Sequence, residues 1–314
     1  MTHLGTAIEA PEAADHRCSP WTAAEGVDPI GSAGRYDAFL LVEAPLPWPK
    51  DVGGIPALAR AAEAGGTTRV LAVPPHSERP HARTAVTAWR RTGTHRFAGT
   101  DHEVDTAQLP RLLDALVADP ALAGPTAVGD APPDVLICSH GKRDACCGRY
   151  GTLLHAEVAA RWDGVRVRRC SHTGGHRFAP TSYTFPDGRA WAHLDAGLLD
   201  RIVGRSGPVA DLHRHQRGTT ALDDWGQALE RAVFEHVGWA WLDAEVTGAT
   251  TDLQPSGQVA EVALAWRWPD GRTGRATGTV AVHRRVPVLV CGEPPENATK
   301  DSPELRLARL ALDA

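Results

Sequence analysis

Residues 135–147, VLICSHGKRDACC, and residues 165–176, VRVRRCSHTGGH, decide how this chain is read. Each starts as a strand and breaks into a loop bearing sulfur or imidazole. Val135–Cys138 is a short apolar run that delivers a cysteine at its end, and Val165–Arg169 alternates before reaching Cys170. Between them, Gly148–Trp162 brings Leu153, Leu154, Val158 and Trp162 near one face of a helix. Downstream, Ser182–Phe185 and Ala190–Leu194 flank the turn Pro186-Asp187-Gly188, and Leu198–Val203 reads as a short helix.

The order β-α-β-β-β-α over residues 134–204 predicts an α/β class and suits a thioredoxin-like layout. The same coarse order can be read over residues 36–118, without a residue-level repeat, within an N-terminal α/β unit placed at residues 36–123. There Tyr36–Glu43 and Arg69–Val73 read as strands, Ile55–Ala64 as a helix ended by Gly65-Gly66, and residues 84–98 as two short strands around Gly93. Thr106–Ala118 completes that unit as an amphipathic helix with Leu109, Leu112, Leu113 and Leu116 at spacings of three and four. Residues 1–35, polar and rich in Gly, Pro and Ala, read as a loosely ordered arm. Residues 124–134 read as a linker. Residues 205–314 are expected to form a C-terminal α+β extension. It has a helix at Asp223–His236, a hairpin of Val259–Trp268 and Thr277–Val282 around PDGRTG, and a further strand at Val286–Val290.

A chain of 314 residues, 42% hydrophobic, can bury a core without disulfide staples. Its six cysteines are too sparse for a disulfide scaffold. Four of them (Cys138, Cys146, Cys147 and Cys170) crowd into one short stretch, which suggests a site, while Cys18 and Cys291 stand alone and read as structural. No export signal and no membrane-spanning run are visible, so a reducing, cytoplasmic setting is expected. A formal charge of −5 argues against a general nucleic-acid binder.

The chemistry concentrates in Cys138 to Cys147 and in His172-Thr-Gly-Gly-His176. The glycines disfavour a continuous helix between the histidines and let both imidazoles converge from a close-approaching loop. Sulfur plus imidazole suits zinc or an iron–sulfur cluster. Eight residues separate Cys138 from Cys147, too many for the paired cysteines of a zinc finger, and no HExxH general base is present. So wide a loop encloses a two-iron cluster more readily than one tetrahedral ion. Cys146 offers an alternative register to Cys147, and Cys170 reads as a buried core thiol. His140 is either a donor behind the ligands or a solvent-facing loop residue. Lys142, Arg143, Arg149, Arg168, Arg169 and Arg177 surround the motifs and could dock an acidic redox partner. His193, His213 and His215 read as ordinary structural or surface residues, and Trp239, Trp241, Trp266 and Trp268 as core.

CSHGKRDACCG, SHTGGHRFAPT and the segment LLVEAPLPWP at residues 40–49 together resemble the sucrase/ferredoxin-like family, over at least residues 36–195. The resemblance implies a [2Fe–2S] cluster on a thioredoxin-like ferredoxin unit, held by Cys138, Cys147, His172 and His176. It implies an electron-transfer protein working with a separate reductase and an acceptor, because no dinucleotide-binding loop is evident. No acid pair supports glycosidase chemistry. Two competitors are a structural zinc protein using the same ligands and a thiol–disulfide oxidoreductase, the latter lacking a CxxC motif.

Overall fold

The computed structural model describes residues 17–64 and 66–313, so the first sixteen residues of the expected arm and Gly65 lie outside the described residues. From residue 17 the chain is packed: helix α1 (Cys18–Ala24) buries Cys18, Ser19 and Thr22. Its polar composition hides this, because these small side chains bury by fitting a narrow space and satisfying their hydroxyls. Ser19 Oγ donates to Ala179 O at 2.5 Å and Thr22 Oγ1 to Cys18 O at 2.7 Å.

The architecture is mixed α/β with three sheets among the described residues. The first holds β1 (Ala38–Glu43), β2 (Thr68–Val73), β3 (Arg83–Gly93), β4 (Arg96–Asp105) and β5 (Ala127–Asp130), in the order β2-β1-β3-β4-β5. Helices α2 (Ala59–Ala64) and α3 (Leu109–Ala118) belong to this part of the chain. The α3 leucines named above are all buried, and Pro110 sits in its first turn, where a missing N–H costs nothing. Strand β5 falls inside the stretch expected as a linker and pairs antiparallel with β4.

The second sheet holds β6 (Asp134–Cys138), β7 (Arg166–Cys170), β8 (Ser182–Phe185), β9 (Arg189–Trp191) and β10 (Gln216–Thr219), in the order β10-β9-β8-β6-β7. Helices α4 (Thr152–Val158) and α5 (Ala196–Val203) accompany it. In both sheets the first strand runs parallel to the second and antiparallel to the third, and the remaining neighbours are antiparallel. The coarse repeat read from the sequence is therefore a repeat of strand order. Strand β6 is buried at every residue because β7 and β8 flank it, which is why it reads as an unbroken apolar run.

Helix α6 (Asp224–Val237) packs on a third sheet of β11 (Glu245–Leu253), β12 (Val259–Arg267), β13 (Thr273–Pro287) and β14 (Asp301–Asp313), all antiparallel. The expected strand Thr277–Val282 lies within β13, which runs on through Val286 and Pro287 after a register shift near Val282 and Arg284, whereas Val288–Val290 of the second expected strand belong to no strand. Trp241 and Trp266 are buried and Trp239 and Trp268 pack against the same core, although Trp239 and Trp241 lie on a 3-10 turn.

The first two sheets meet through an aromatic cluster. The Phe39 ring centroid lies 5.1 Å from that of Tyr183 and 5.0 Å from that of Phe185, and Trp89 stacks on Phe185 at 4.9 Å. Buried Asp134 fastens the same seam. It accepts from Trp89 Nε1 at 3.0 Å, Arg166 Nε at 2.8 Å and Arg168 Nη2 at 2.6 Å. Among the described residues no helix is long and apolar enough to cross a membrane.

Candidate metal centre

The centre forms where β6 and β7, paired in parallel at Cys138 and Cys170, both end. Past Cys138 the chain loops back and enters a wide π turn, Cys147–Gly151, that continues into α4. That helix stops at Val158, short of Trp162 as expected from the sequence. Gly151 sits against the Cys138 carbonyl so closely that a Cβ would overlap it. This contact lets the helix start deliver Cys147 beside Cys138. Asp144 caps the turn, accepting from the backbone N–H of Cys146 at 2.9 Å and of Cys147 at 3.4 Å.

Cys138, Cys147 and His172 have ligand atoms that all lie within 4.8 Å of one another. Both thiols are buried, and His172 Nδ1 is 4.0 Å from Cys138 Sγ. The Cys138 thiol is held well below the ordinary range, first by the hydrogen bond from Cys147 and then, against burial, by His172. Cys147, which donates that bond, is pushed well up. The two thiols are thus joined by a hydrogen bond in which Cys147 donates and Cys138 accepts.

His176 comes from the same loop but takes a different partner. Its Nδ1 lies 3.1 Å from Asp144 Oδ2, and its ring centroid is 6.0 Å from that of His172. The loop is fixed by backbone conformation: Gly174 and Gly175 have φ of +81° and +63°, a region costly for any residue with a side chain. Behind them, buried Arg217 donates to Gly174 O at 3.1 Å. Arg69 Nη2 donates to His172 O at 2.7 Å and Tyr183 OH to Thr173 O at 3.0 Å.

His140 is buried and does not face water. Its Nε2 lies 2.8 Å from Pro49 O, and its Nδ1 accepts from the His172 backbone N–H at 3.2 Å. One nitrogen must donate and the other accept, so this arrangement requires neutral imidazole protonated at Nε2. Burial pulls its pKa down, which favours that neutral form. Trp48 stands edge-on to His140 at 5.7 Å. The LPWP segment thus supports the centre through His140.

The expected basic surface divides in two. Lys142, Arg143 and Arg149 are exposed. Arg168 is instead turned to Asp134, and Arg169 donates to Ser139 Oγ at 2.9 Å. Arg177 is buried over Phe178, 4.8 Å from its ring centroid. A cavity of about 410 Å³ opens beside His172, with Lys50, Asp51, Arg69, His140 and Arg143 among its lining. Cys170 lies in the apolar core with Leu136, Tyr183 and Phe185, and burial pushes its thiol well up.

Of three further residues in the centre's surroundings, only Asp144 has a local signal in the sequence, an acid just ahead of a helix start. Cys18 and Cys291, read as isolated, meet Cys146 in space. Cys291 Sγ lies 3.2 Å from Cys146 Sγ and 3.4 Å from Cys18 Sγ. Sequence separations of 145 and 273 residues concealed this.

No solved structure matches the chain. A curated relative, Altered inheritance of mitochondria protein 32 of Meyerozyma guilliermondii, is 30% identical over 93 residues. That stretch covers 26% of this chain and 33% of the relative, so the chain spans about a third of the relative it matches. A family model described as sucrase/ferredoxin-like matches residues 29–218. Because that match runs over more than half of the chain and contains both cysteines and both histidines of the centre, the chain belongs to the sucrase/ferredoxin-like family.

Proposed function

We propose that this protein is a one-electron carrier whose cofactor is a [2Fe–2S] cluster held by Cys138, Cys147, His172 and His176. The observation that carries the reading is the convergence of two proton-sharing, buried thiols with His172, all within 4.8 Å. The donor set fits the group: thiolate and imidazole are the ligands such clusters take. When bound, the cluster supplies a one-electron couple; mixed Cys/His ligation in Rieske centres gives about −150 to +300 mV against about −400 mV for all-thiolate plant-type ferredoxins.

The chain's own residues do the rest. Asp144 Oδ2 lies 3.1 Å from His176 Nδ1, so His176 would meet the cluster through Nε2. His140 fixes the backbone of His172. Cys138 and Cys147 are shielded from water, whereas both histidines are partly exposed. The ring nitrogen of each histidine that the cluster leaves free would take up a proton on reduction, so the midpoint potential should fall as pH rises. The repeated strand order supports two thioredoxin-like units with wider bounds than expected, the first running past residue 123 to β5 and the second past residue 204 to β10. Six free thiols suit a reducing cytoplasm. Exposed Lys142, Arg143 and Arg149 suit an acidic redox partner, whether reductase or acceptor.

Anaerobically purified protein should show visible absorption with two irons and two sulfides per chain, as the cluster's formula requires. Cys138→Ser and Cys147→Ser should lose both, and Cys146→Ser should keep them. A colourless protein carrying zinc, or loss in Cys146→Ser but not Cys147→Ser, would overturn the assignment. A potential flat from about pH 6 to about pH 10 would remove the proton coupling, since that coupling needs the ligand imidazoles to change their proton affinity with the cluster's oxidation state.

A further inference from the structure

A second cluster of ligand-forming side chains lies beside the first and shares no ligand with it. Cys18, Asp144, Cys146 and Cys291 place their ligand atoms within 4.8 Å of one another. We infer that these four residues form a separate binding site for a single zinc ion, in an S₃O set that joins three distant parts of the chain.

Four of the six ligand–ligand distances can be set against the edges of a tetrahedral site. With Zn–S near 2.3 Å and Zn–O near 2.0 Å, adjacent sulfurs stand about 3.8 Å apart and a sulfur and an oxygen about 3.5 Å apart. Asp144 Oδ1 is 3.5 Å from Cys291 Sγ and 3.6 Å from Cys18 Sγ, already at that edge length. Cys291 Sγ is 3.2 Å from Cys146 Sγ and 3.4 Å from Cys18 Sγ, so the sulfurs need to part by only a few tenths of an ångström.

Two other readings of the cluster fit less well. A disulfide would join two of the sulfurs at about 2.0 Å and leave the third thiol over. All three sulfurs are free and mutually close. A purely structural role would fill the space with apolar side chains, whereas Cys18, Cys146 and Asp144 bury a carboxylate among thiols. Cys291 is only partly buried, which gives an ion a way in. Hard cations are excluded by the donors, because three soft sulfurs select zinc over magnesium or calcium.

The ligands' origins give the site a structural purpose. Cys18 begins α1, Cys146 belongs to the capped turn of the candidate cluster site, and Cys291 lies between β13 and β14. Asp144 would join the zinc through Oδ1 while its Oδ2 lies 3.1 Å from His176 Nδ1. Zinc there would tie the N-terminal helix and the C-terminal sheet to the loop that presents Cys147.

The test is metal content of the full chain, expressed with iron and zinc supplied and purified anaerobically with a thiol-free reductant. Wild type should hold about one zinc per chain more than Cys18→Ser and Cys291→Ser, each four-ligand site taking one ion. Iron and sulfide should be the same in all three. Independently, Co²⁺ added to zinc-stripped wild type should give thiolate-to-cobalt charge-transfer bands that saturate near one equivalent and are absent in Cys291→Ser. Equal zinc in wild type and both variants, or no cobalt–thiolate bands in the folded wild type, would overturn the inference. If iron is absent but the zinc difference persists, the electron-carrier reading fails and this one stands.

Discussion

His140 offers the sharpest test of how the centre is held. Replacing it by alanine removes the acceptor for the His172 N–H and the donor to Pro49 O, and opens a gap under Trp48. Each buried group left without a partner costs about 1–3 kcal/mol. His172 is only partly buried, so water recovers some of that, and the two losses together come to roughly 2–4 kcal/mol. At an unfolding entropy of about 2.1 cal/mol/K per residue, a chain of 314 residues shifts its Tm by about 1.5 °C per kcal/mol, which gives a fall of about 3–6 °C.

Stability alone does not distinguish positioning from packing, so the second readout is metal retention. Loss of a partner behind a metal ligand typically weakens the metal by about 10–100-fold. On the proposed cluster assignment, His140→Ala should release iron to a competing chelator at a correspondingly lower chelator concentration than wild type. Trp48→Phe, which keeps both hydrogen bonds of His140, serves as the packing control: it should lose stability but hold iron as wild type does. If His140→Ala loses stability yet retains iron like wild type, His140 is only a packing residue, and the inferred hold on His172 is wrong.

Further expectations concern the loop and the cores. Gly175→Ala should cost about 1–2 kcal/mol in the left-handed backbone alone. It should cost more because its Cβ would come within 2.7 Å of Arg217, and differential scanning calorimetry together with iron content would register both effects. Glu230 is buried and accepts from Arg189 Nη1 at 2.6 Å and Trp241 Nε1 at 2.6 Å. Glu230→Gln should destabilise by about 3–5 kcal/mol by stranding Arg189, while Arg189→Met with Glu230→Leu should lose less in urea denaturation. His213 stands half-exposed, its pKa pushed up to about 9 by hydrogen bonds to Asp28 and then Glu235. Its folded pKa exceeds its unfolded one, so its contribution is complete below about pH 6.5 and is lost as pH rises through about 9. Solvent screening limits it to about 1 kcal/mol or less. A urea midpoint that falls over that window in wild type but not in His213→Gln is the expected result; parallel curves would contradict it.

What the sequence shows readily is what local pattern encodes. Val135–Cys138 and the α3 leucines obey one period each, and His172-Thr-Gly-Gly-His176 holds its geometry within five residues. Strand β14 escaped for a physical reason. Leu305 and Leu307 alternate, as do Leu310 and Leu312, but an extra residue at Ala308 shifts the frame between the pairs. The ladder shows the same shift, with Arg309 opposite Thr279 and Leu307 opposite Val280. The bulge breaks the two-residue period on which a strand is recognised. The meeting of Cys18, Cys146 and Cys291 left no trace, because sequence separation carries no information about which loops a fold brings together.

The repeated strand order explains why one candidate centre and not two is built from these sheets. In the second sheet the parallel pair β6 and β7 ends in Cys138 and in Ser171-His172, so both strand ends supply donors at one edge. In the first sheet the corresponding pair, β1 and β2, ends in Glu43-Ala44 and Pro74-Pro75, which supply no soft ligand. The loop after β1 turns toward the other unit instead. Trp48 and Pro49 brace His140, while Ser171 N donates to Ala72 O at 2.8 Å and Ala72 N to Ser171 Oγ at 3.0 Å. The first unit thus holds the ligand loops of the second from outside. A substitution at Pro49 or Ala72 should act on the candidate centre although neither residue is among the proposed ligands.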